Sequence, residues 1–147
     1  MNADPLASPA QPAILGFDPG RHKCGIAVMG IDRTLCYHQV VDAATAIATV
    51  QHLCSVYPIS LVVIGDQTSS KEWKHRLTTE TEAVFSVVQV DERNSSLEAR
   101  DRYWEMFPPA GWDRLLPQAL RRIPRPIDDI VAILLIERYL KQLTTPL

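Results

Sequence analysis

The sequence predicts an α/β fold in which a mixed sheet of five strands is flanked by helices. Two observations predict this class. Three apolar segments follow one another between residues 14 and 41 with only short polar turns between them, which favours an antiparallel meander. Beyond residue 60, strand-like apolar runs alternate with helical segments, and this alternation implies parallel strands joined by crossover helices.

The strands of the meander are predicted over residues 14–17, 24–29 and 35–41. The first strand ends at Asp18-Pro19-Gly20, a turn sequence with a carboxylate at the strand exit. A polar Asp32-Arg33 turn separates the second strand from the third. Residues 43–57 have apolar side chains at helical spacing and stop at Pro58, which predicts an amphipathic helix that packs on the sheet.

The second half of the chain is predicted to hold two more strands, over residues 61–64 and 85–90. A polar helix is expected over 71–82, and a helix over 95–107 opens with the capping-box spacing of Ser95 and Glu98. Five prolines between residues 107 and 126 exclude a regular helix through most of that connection. The last helix, over 127–143, is apolar on nearly every side from 130 to 136 and is therefore expected to be buried.

Length and composition fit one domain over residues 13–147 behind a flexible leader, residues 1–12. The chain has 147 residues, 15 Lys+Arg, 17 Asp+Glu and a net charge of -2, which argues against binding nucleic acid by bulk charge alone. The proline-containing leader lacks the features of a signal peptide, and no apolar run is long enough to span a bilayer. Three cysteines cannot all pair and lack structural zinc spacing. A cytoplasmic protein without a membrane partner is the expectation.

Acidic residues stand at the ends of several predicted strands and at the start of the last helix. The carboxyl ends of parallel strands share one sheet edge, where ligands bind. Carboxylates gathered there repel one another unless a cation lies among them, and Mg²⁺ or Mn²⁺ suits such oxygen ligands. Singly, each acid also fits a turn or the first turn of a helix. The candidate residues are Asp18, Asp66, Asp91, Glu92, Asp128 and Asp129.

Three short motifs in this order resemble those of the YqgF/RuvX family. They are Asp18-Pro19-Gly20 with Lys23, Gly25 and Ala27, the segment Asp91-Glu92-Arg93-Asn94-Ser95-Ser96, and Ile127-Asp128-Asp129 leading into a helix with Tyr139-Leu140. The resemblance runs from about residue 14 to residue 143. It implies a ribonuclease H-like fold related to the RuvC Holliday-junction resolvases, and a cytoplasmic nuclease that processes the 5′ end of precursor 16S rRNA.

The resemblance also implies roles for the acids. Asp18 would be the central metal ligand, Glu92 the second acid and Asp128 the third, so that together they hold two Mg²⁺ or Mn²⁺ ions. Two such ions can activate a water molecule and stabilise the leaving oxygen of a phosphodiester. Whether Asp91 replaces Glu92, and whether Asp129 replaces Asp128 or joins it as a ligand, stays open at this point.

One departure from the family pattern concerns Asp66. The family usually has a glycine followed soon by a proline after the fourth strand, whereas this chain has Gly65-Asp66-Gln67. By resemblance, Asp66 stands where the RuvC resolvases carry their second catalytic acid. Asp66 is therefore either a further ligand or a surface residue at a strand exit, and we favour a role at the site.

Basic residues form the candidate nucleic-acid contacts. Lys23 lies in the first motif and Arg93 follows Glu92, where it would donate to the scissile phosphate. Three arginines, Arg121, Arg122 and Arg125, stand where the family has a lysine-rich approach to the last helix. Residues 93–125 hold seven arginines and four acids, so this part of the chain is locally positive. Aromatic residues that could stack on bases or pack in the core are Tyr103, Trp104, Phe107 and Trp112.

Three functions remain as hypotheses. The leading one is metal-dependent hydrolysis of precursor rRNA. The alternatives are resolution of Holliday junctions or other branched DNA, and a non-catalytic RNA-binding factor in ribosome assembly. The sequence leaves open RNA or DNA as substrate, and a monomer or a homodimer as the assembly.

Overall fold

Five strands form one sheet in the computed structural model, which describes residues 11–67 and 69–144. They are β1 (Ala13–Asp18), β2 (Lys23–Gly30), β3 (Leu35–Asp42), β4 (Ile59–Gly65) and β5 (Ser86–Val90). Their order is β3-β2-β1-β4-β5. The first three pair antiparallel, whereas β4 lies parallel to β1 and to β5. The predicted mixed sheet is confirmed, and it is the sheet that the ribonuclease H-like resemblance implies. Residues 1–10 of the predicted leader lie outside the described residues.

Four helices within residues 11–67 and 69–144 flank the sheet: α1 (Ala46–Val56), α2 (Ser70–Thr79), α3 (Ser95–Met106) and α4 (Asp128–Thr144). The start of the first predicted helix is a separate 3₁₀ turn, Ala43–Thr45, and the connection with five prolines contains two more, Gly111–Leu115 and Gln118–Leu120. None of the helices in the described part of the chain is long and apolar enough to cross a membrane.

The predicted capping box at the start of α3 is wrong. Asn94, with φ of 61°, is the N-cap residue, and no side chain caps the helix. Ser95 is already the first helical residue and is buried, so its hydroxyl lies one position too late to cap. The left-handed backbone that Asn94 tolerates turns the chain sharply after Glu92.

The two faces of the sheet carry different helices. Alternation along β1 sends Leu15 and Phe17 toward α1 and α2, where Trp73 lies against the Phe17 ring with centroids 5.1 Å apart. On the opposite face, α3 and α4 cover Ile14 and Val63. The continuous buried run of α4 explains why its sequence is apolar on nearly every side, as predicted.

Helix α4 lies directly on the backbone of β1 and β2. A Cβ at Gly16 would overlap the carbonyl oxygen of Ala132, and a Cβ at Gly25 would overlap the Asp128 carbonyl group. Glycine at these two positions therefore lets the helix approach the sheet more closely than any side chain would permit. This close approach brings the acidic first turn of α4 next to the carboxyl end of β1.

Substituting Gly16→Ala tests this contact. In an open strand the change would stabilise the protein by about 0.5–1 kcal/mol. Here we expect a loss of about 1–3 kcal/mol, because the methyl group forces α4 off the sheet. Urea denaturation measures the free energy of unfolding, with Ser60→Ala, at an exposed position of β4, as the control expected to change it by less than about 0.5 kcal/mol. A Gly16→Ala protein as stable as the wild type would contradict the close approach.

Candidate active site

Three carboxyl groups from three different elements line one pocket of about 380 Å³. Asp18 is the last residue of β1, Glu92 follows β5, and Asp128 is the first residue of α4. β1 and β5 run parallel on either side of β4, so their carboxyl ends meet at the same edge of the sheet. The rest of the lining is Pro19, Gln67, Ser95, Ser96, Arg100, Ile127 and Val131.

Asp18 is the most perturbed acid of this pocket. Burial, followed by the negative charges of Asp128 and Glu92, raises the pKa of Asp18 to about 8. Its carboxyl also forms a hydrogen bond with the Asp128 side chain. At neutral pH, Asp18 therefore holds a proton that it donates to Asp128, because two carboxylates in contact cannot both stay ionised.

Glu92 is the buried acid of the set, with 8% of its surface exposed. Burial, together with the nearby charge of Asp66, raises the pKa of Glu92, although the Gln67 backbone and Arg138 act in the opposite direction. Its Oε1 atom is buried and has no hydrogen-bond partner among the described residues. A Cβ at Gly65 would overlap the Glu92 carboxylate, so the glycine at the end of β4 makes room for this acid.

The structure distinguishes the neighbouring acids that the sequence left open. Asp91 is exposed, its Oδ1 accepts the Arg93 backbone N–H at 2.9 Å, and it does not line the pocket. Asp66 is also exposed, and its Oδ1 lies 3.5 Å from the Glu92 backbone nitrogen. Asp66 therefore borders the pocket and influences Glu92, while Gln67 provides the lining at the end of β4.

Asp129 lies on the other side of the first turn of α4. It is 2% exposed, and its carboxylate accepts hydrogen bonds from His38 Nδ1 at 2.7 Å and from the Arg125 guanidinium at 2.9 Å. Burial alone would raise the pKa of Asp129, but these two hydrogen bonds outweigh it and the pKa is lowered. The structure therefore groups Asp128, and not Asp129, with Asp18 and Glu92.

The five predicted phosphate contacts are dispersed. Lys23 pairs with Asp42 at 2.5 Å, and Arg125 pairs with Asp129. Arg93 and Arg122 are exposed, and Arg93 does not line the carboxylate pocket. Arg121 instead holds its own loop together, since its Nε donates to the carbonyl oxygens of Asp113 and Leu116 at 3.0 and 3.1 Å.

Arg100 is the basic residue at this pocket that the sequence did not single out. It lies on α3, is exposed, and lines the pocket beside Glu92 and Asp128. The only signal was its place in the arginine-rich stretch, one turn beyond the Asp91–Ser96 motif. Of the candidate stacking residues, Tyr103 and Trp104 are buried, Phe107 is 39% exposed and Trp112 is 83% exposed.

The donor set of the pocket fits a divalent metal ion. Its acids offer only oxygen ligands, which Mg²⁺ and Mn²⁺ prefer, and the unpartnered Glu92 Oε1 leaves a buried acceptor that a cation would satisfy. Across residues 11–67 and 69–144, no three His, Cys, Asp or Glu side chains form a ready-made metal cluster. Binding a cation would therefore require Asp18 to lose the proton it shares with Asp128.

Similarity to known proteins is found among solved structures. No family model matches the chain, and no curated protein matches it. The chain is similar in structure to RuvC of T. thermophilus, solved in complex with Holliday junction substrate, with 17% sequence identity and a TM-score of 0.49. The similarity covers 85% of this chain and 90% of that chain.

The shifted pKa of Asp18 predicts how stability changes with pH in the metal-free protein. The folded pKa of about 8 lies above the ordinary value of 3.8, so the unfolded chain ionises first and stability falls as pH rises from about 4 to 8. Asp18→Asn removes this penalty. Since one pKa unit corresponds to about 1.4 kcal/mol, the variant should gain at least that much relative to the wild type between pH 5 and pH 8.

Chemical denaturation in EDTA at the two pH values measures this gain. Asp32→Asn is the matched control, because Asp32 is exposed and its pKa is lowered by the Thr34 backbone N–H. Asp32 is ionised at both pH values in folded and unfolded chains, so its substitution should shift stability equally at pH 5 and pH 8. A pH-independent effect of Asp18→Asn would show that the three carboxyls do not interact as described.

Proposed function

We propose that this protein is a metal-dependent nuclease that hydrolyses phosphodiester bonds of nucleic acid, and that its substrate is the 5′ end of precursor 16S rRNA. The observation that carries the proposal is the pocket shared by Asp18, Glu92 and Asp128. Burial, followed by the charges of the other two acids, raises the pKa of Asp18 to about 8. Gathering three carboxyl groups in one pocket lowers the stability of the metal-free protein. Such a cost is expected at a functional site that requires their negative charge.

The three acids would hold Mg²⁺ or Mn²⁺. When bound, these ions would lower the pKa of a water molecule and neutralise charge on the phosphate. Asp18 and Asp128 would give up the proton they share, and Glu92 would turn its unpartnered oxygen to the cation. Arg100, on the rim of the same pocket, would donate to a phosphate oxygen and orient the scissile bond.

A strand with unpaired bases is the substrate that the rest of the surface favours. Trp112 is 83% exposed in the loop between α3 and α4, and an exposed indole offers a stacking surface for an unpaired base. Arg122, in the same loop, is also exposed. The resemblance to the YqgF/RuvX family supplies the specific substrate, precursor rRNA.

A substrate panel tests this function. Purified protein is incubated with 5′-extended 16S precursor, a four-way DNA junction and unstructured single strands, each in Mg²⁺, Mn²⁺ or EDTA. We expect metal-dependent shortening of the precursor and no product in EDTA. Cleavage of the junction alone would identify a resolvase, and RNA binding without any product at long times would identify an assembly factor. Either result would overturn the proposed reaction.

Amide substitutions test which acids act. Asp18→Asn and Asp128→Asn should each lower the rate of precursor cleavage more than about 100-fold, because loss of a direct ligand exceeds the 10- to 100-fold effect typical of groups behind the ligands. Single-turnover rates at saturating Mg²⁺ give the measurement. Asp32→Asn, at the opposite end of the strands, is the control and should cut at the wild-type rate. Near-normal cleavage by Asp18→Asn would exclude this pocket.

A further inference from the structure

A second pocket, of about 370 Å³, lies on the β3 side of the first turn of α4. Lys23 at the start of β2, His38 on β3 and Arg125 just before α4 line it, with Asp129 at its base. Gln39, Val40 and Pro126 complete the lining. This pocket shares no lining residue with the carboxylate pocket, but the consecutive residues Asp128 and Asp129 contribute one to each.

The charged groups of this second pocket lie at two depths. Asp129 is 2% exposed, whereas the side chains of His38 and Arg125 are 27% and 34% exposed. The carboxylate therefore lies behind the two donors, and the donors face the pocket. An ionised carboxylate can only accept, so His38 donates through Nδ1. Its other ring nitrogen, Nε2, has no hydrogen-bond partner in the described part of the chain. When the ring carries a proton on both nitrogens, Nε2 can donate to an anion in the pocket.

Arg125 is held in place before any ligand arrives. Besides Asp129, its guanidinium donates to the Pro126 carbonyl oxygen at 2.7 Å. The same group lies 5.5 Å from the ring centroid of Tyr103 and 5.4 Å from that of Phe107. A guanidinium fixed on several sides loses little further freedom on binding, and these hydrogen bonds involve only one of its terminal nitrogens. Its remaining N–H groups can donate to an anion.

Lys23 adds an ammonium group that can move from its present partner to a ligand. Its partner Asp42 is 63% exposed, and Lys23 itself is 53% exposed. An ion pair this open contributes about 0–1 kcal/mol, so a phosphate entering the pocket can recruit the ammonium group at little cost. A phosphodiester has two non-bridging oxygens that share one negative charge, and the N–H groups of this pocket can donate to both.

We propose that the pocket of Lys23, His38 and Arg125 binds a backbone phosphate of the nucleic-acid strand that enters the carboxylate pocket, with Asp129 as the positioning residue that holds His38 and Arg125. This inference rests on the proposed function. It gives the two neighbouring acids of α4 opposite tasks: Asp128 belongs to the site of hydrolysis, whereas Asp129 aims two donors at a second phosphate on the same strand.

Binding measured in EDTA, without cleavage, tests the inference. Fluorescence anisotropy of a labelled precursor fragment gives Kd over a range of salt concentrations for Lys23→Gln, His38→Gln and Arg125→Gln. We expect each variant to bind about 3- to 10-fold more weakly. Lys23→Gln and Arg125→Gln should also reduce the salt slope by about one, as the loss of one phosphate contact does. The control, Lys74→Gln, removes an exposed charge from α2 on the other face of the sheet.

The role of Asp129 has its own readout. In the long-range ¹H–¹⁵N NMR spectrum, wild-type His38 should show a protonated Nδ1. Asp129→Asn should change this tautomer signature and bind RNA as weakly as His38→Gln, and the double variant should bind no more weakly than either single variant. Additive losses would overturn the positioning role. Lys23→Gln alters an exposed side chain only, so the pocket remains testable if a variant at Asp129 or Arg125 does not fold.

The outcomes separate this inference from the proposed function. RNA affinity unchanged in all three donor variants, in a protein that still cuts RNA, would overturn the phosphate site alone. A wild type that binds no nucleic acid would overturn the proposed function and the inference with it. A further outcome is that inorganic phosphate shifts the His38 resonances while the three substitutions leave RNA affinity unchanged. That result would assign the pocket to a free phosphate and contradict its use by a nucleic-acid strand.

Discussion

The contact between α4 and the backbone of β1 and β2 determines the rest of the arrangement. Gly16 and Gly25 have no Cβ where the helix crosses, so its first turn lies beside the carboxyl end of β1. Asp128 then contacts Asp18, while the next residue, Asp129, faces β3 and His38. A helix one side-chain layer further out would separate both pairs.

Asp129 and Asp18 differ in their electrostatics. Asp129 is the more deeply buried, yet two hydrogen bonds from His38 and Arg125 stabilise its charge. Asp18 has carboxyl neighbours instead, and burial together with their charges raises the pKa of Asp18 to about 8. The proposed positioning role therefore falls to Asp129, whose charge is compensated, and the proposed metal site to Asp18, whose pKa is raised.

Much of the fold could be predicted because hydrophobic periodicity reports it directly. The run from Ile130 to Ile136 is apolar on every side and is buried on every side. Local signals with two interpretations were less reliable. Ser95 and Glu98 have capping-box spacing, but Asn94 takes the N-cap position. The 3₁₀ turn before α1 could not be separated from the helix by composition, because its residues continue the same small and apolar pattern.

The kind of candidate site could be predicted from the sequence, but the residues that belong to it could be predicted less well. Acids at strand ends and at the start of the last helix gave six candidates, and the family resemblance selected Asp18, Glu92 and Asp128, which do share a pocket. The sequence could not choose between Asp128 and Asp129. Neighbouring side chains at the start of a helix point in different directions, and tertiary packing decides which of them faces the pocket. His38 was missed for a related reason: β3 meets α4 across 91 residues of sequence, and nothing local to His38 records that contact. Arg121 carried the right charge, but its guanidinium holds the loop.

Direct binding of Mn²⁺ is the most decisive measurement for the carboxylate pocket. The loss of the free-ion signal in electron paramagnetic resonance reports binding to the wild type, Asp18→Asn and Asp129→Asn at pH 8, where Asp18 can ionise in the metal-free protein. We expect binding by the wild type and by Asp129→Asn, and at least about tenfold weaker binding by Asp18→Asn. Binding that survives in Asp18→Asn and disappears in Asp129→Asn would contradict the assignment of the metal site to Asp18.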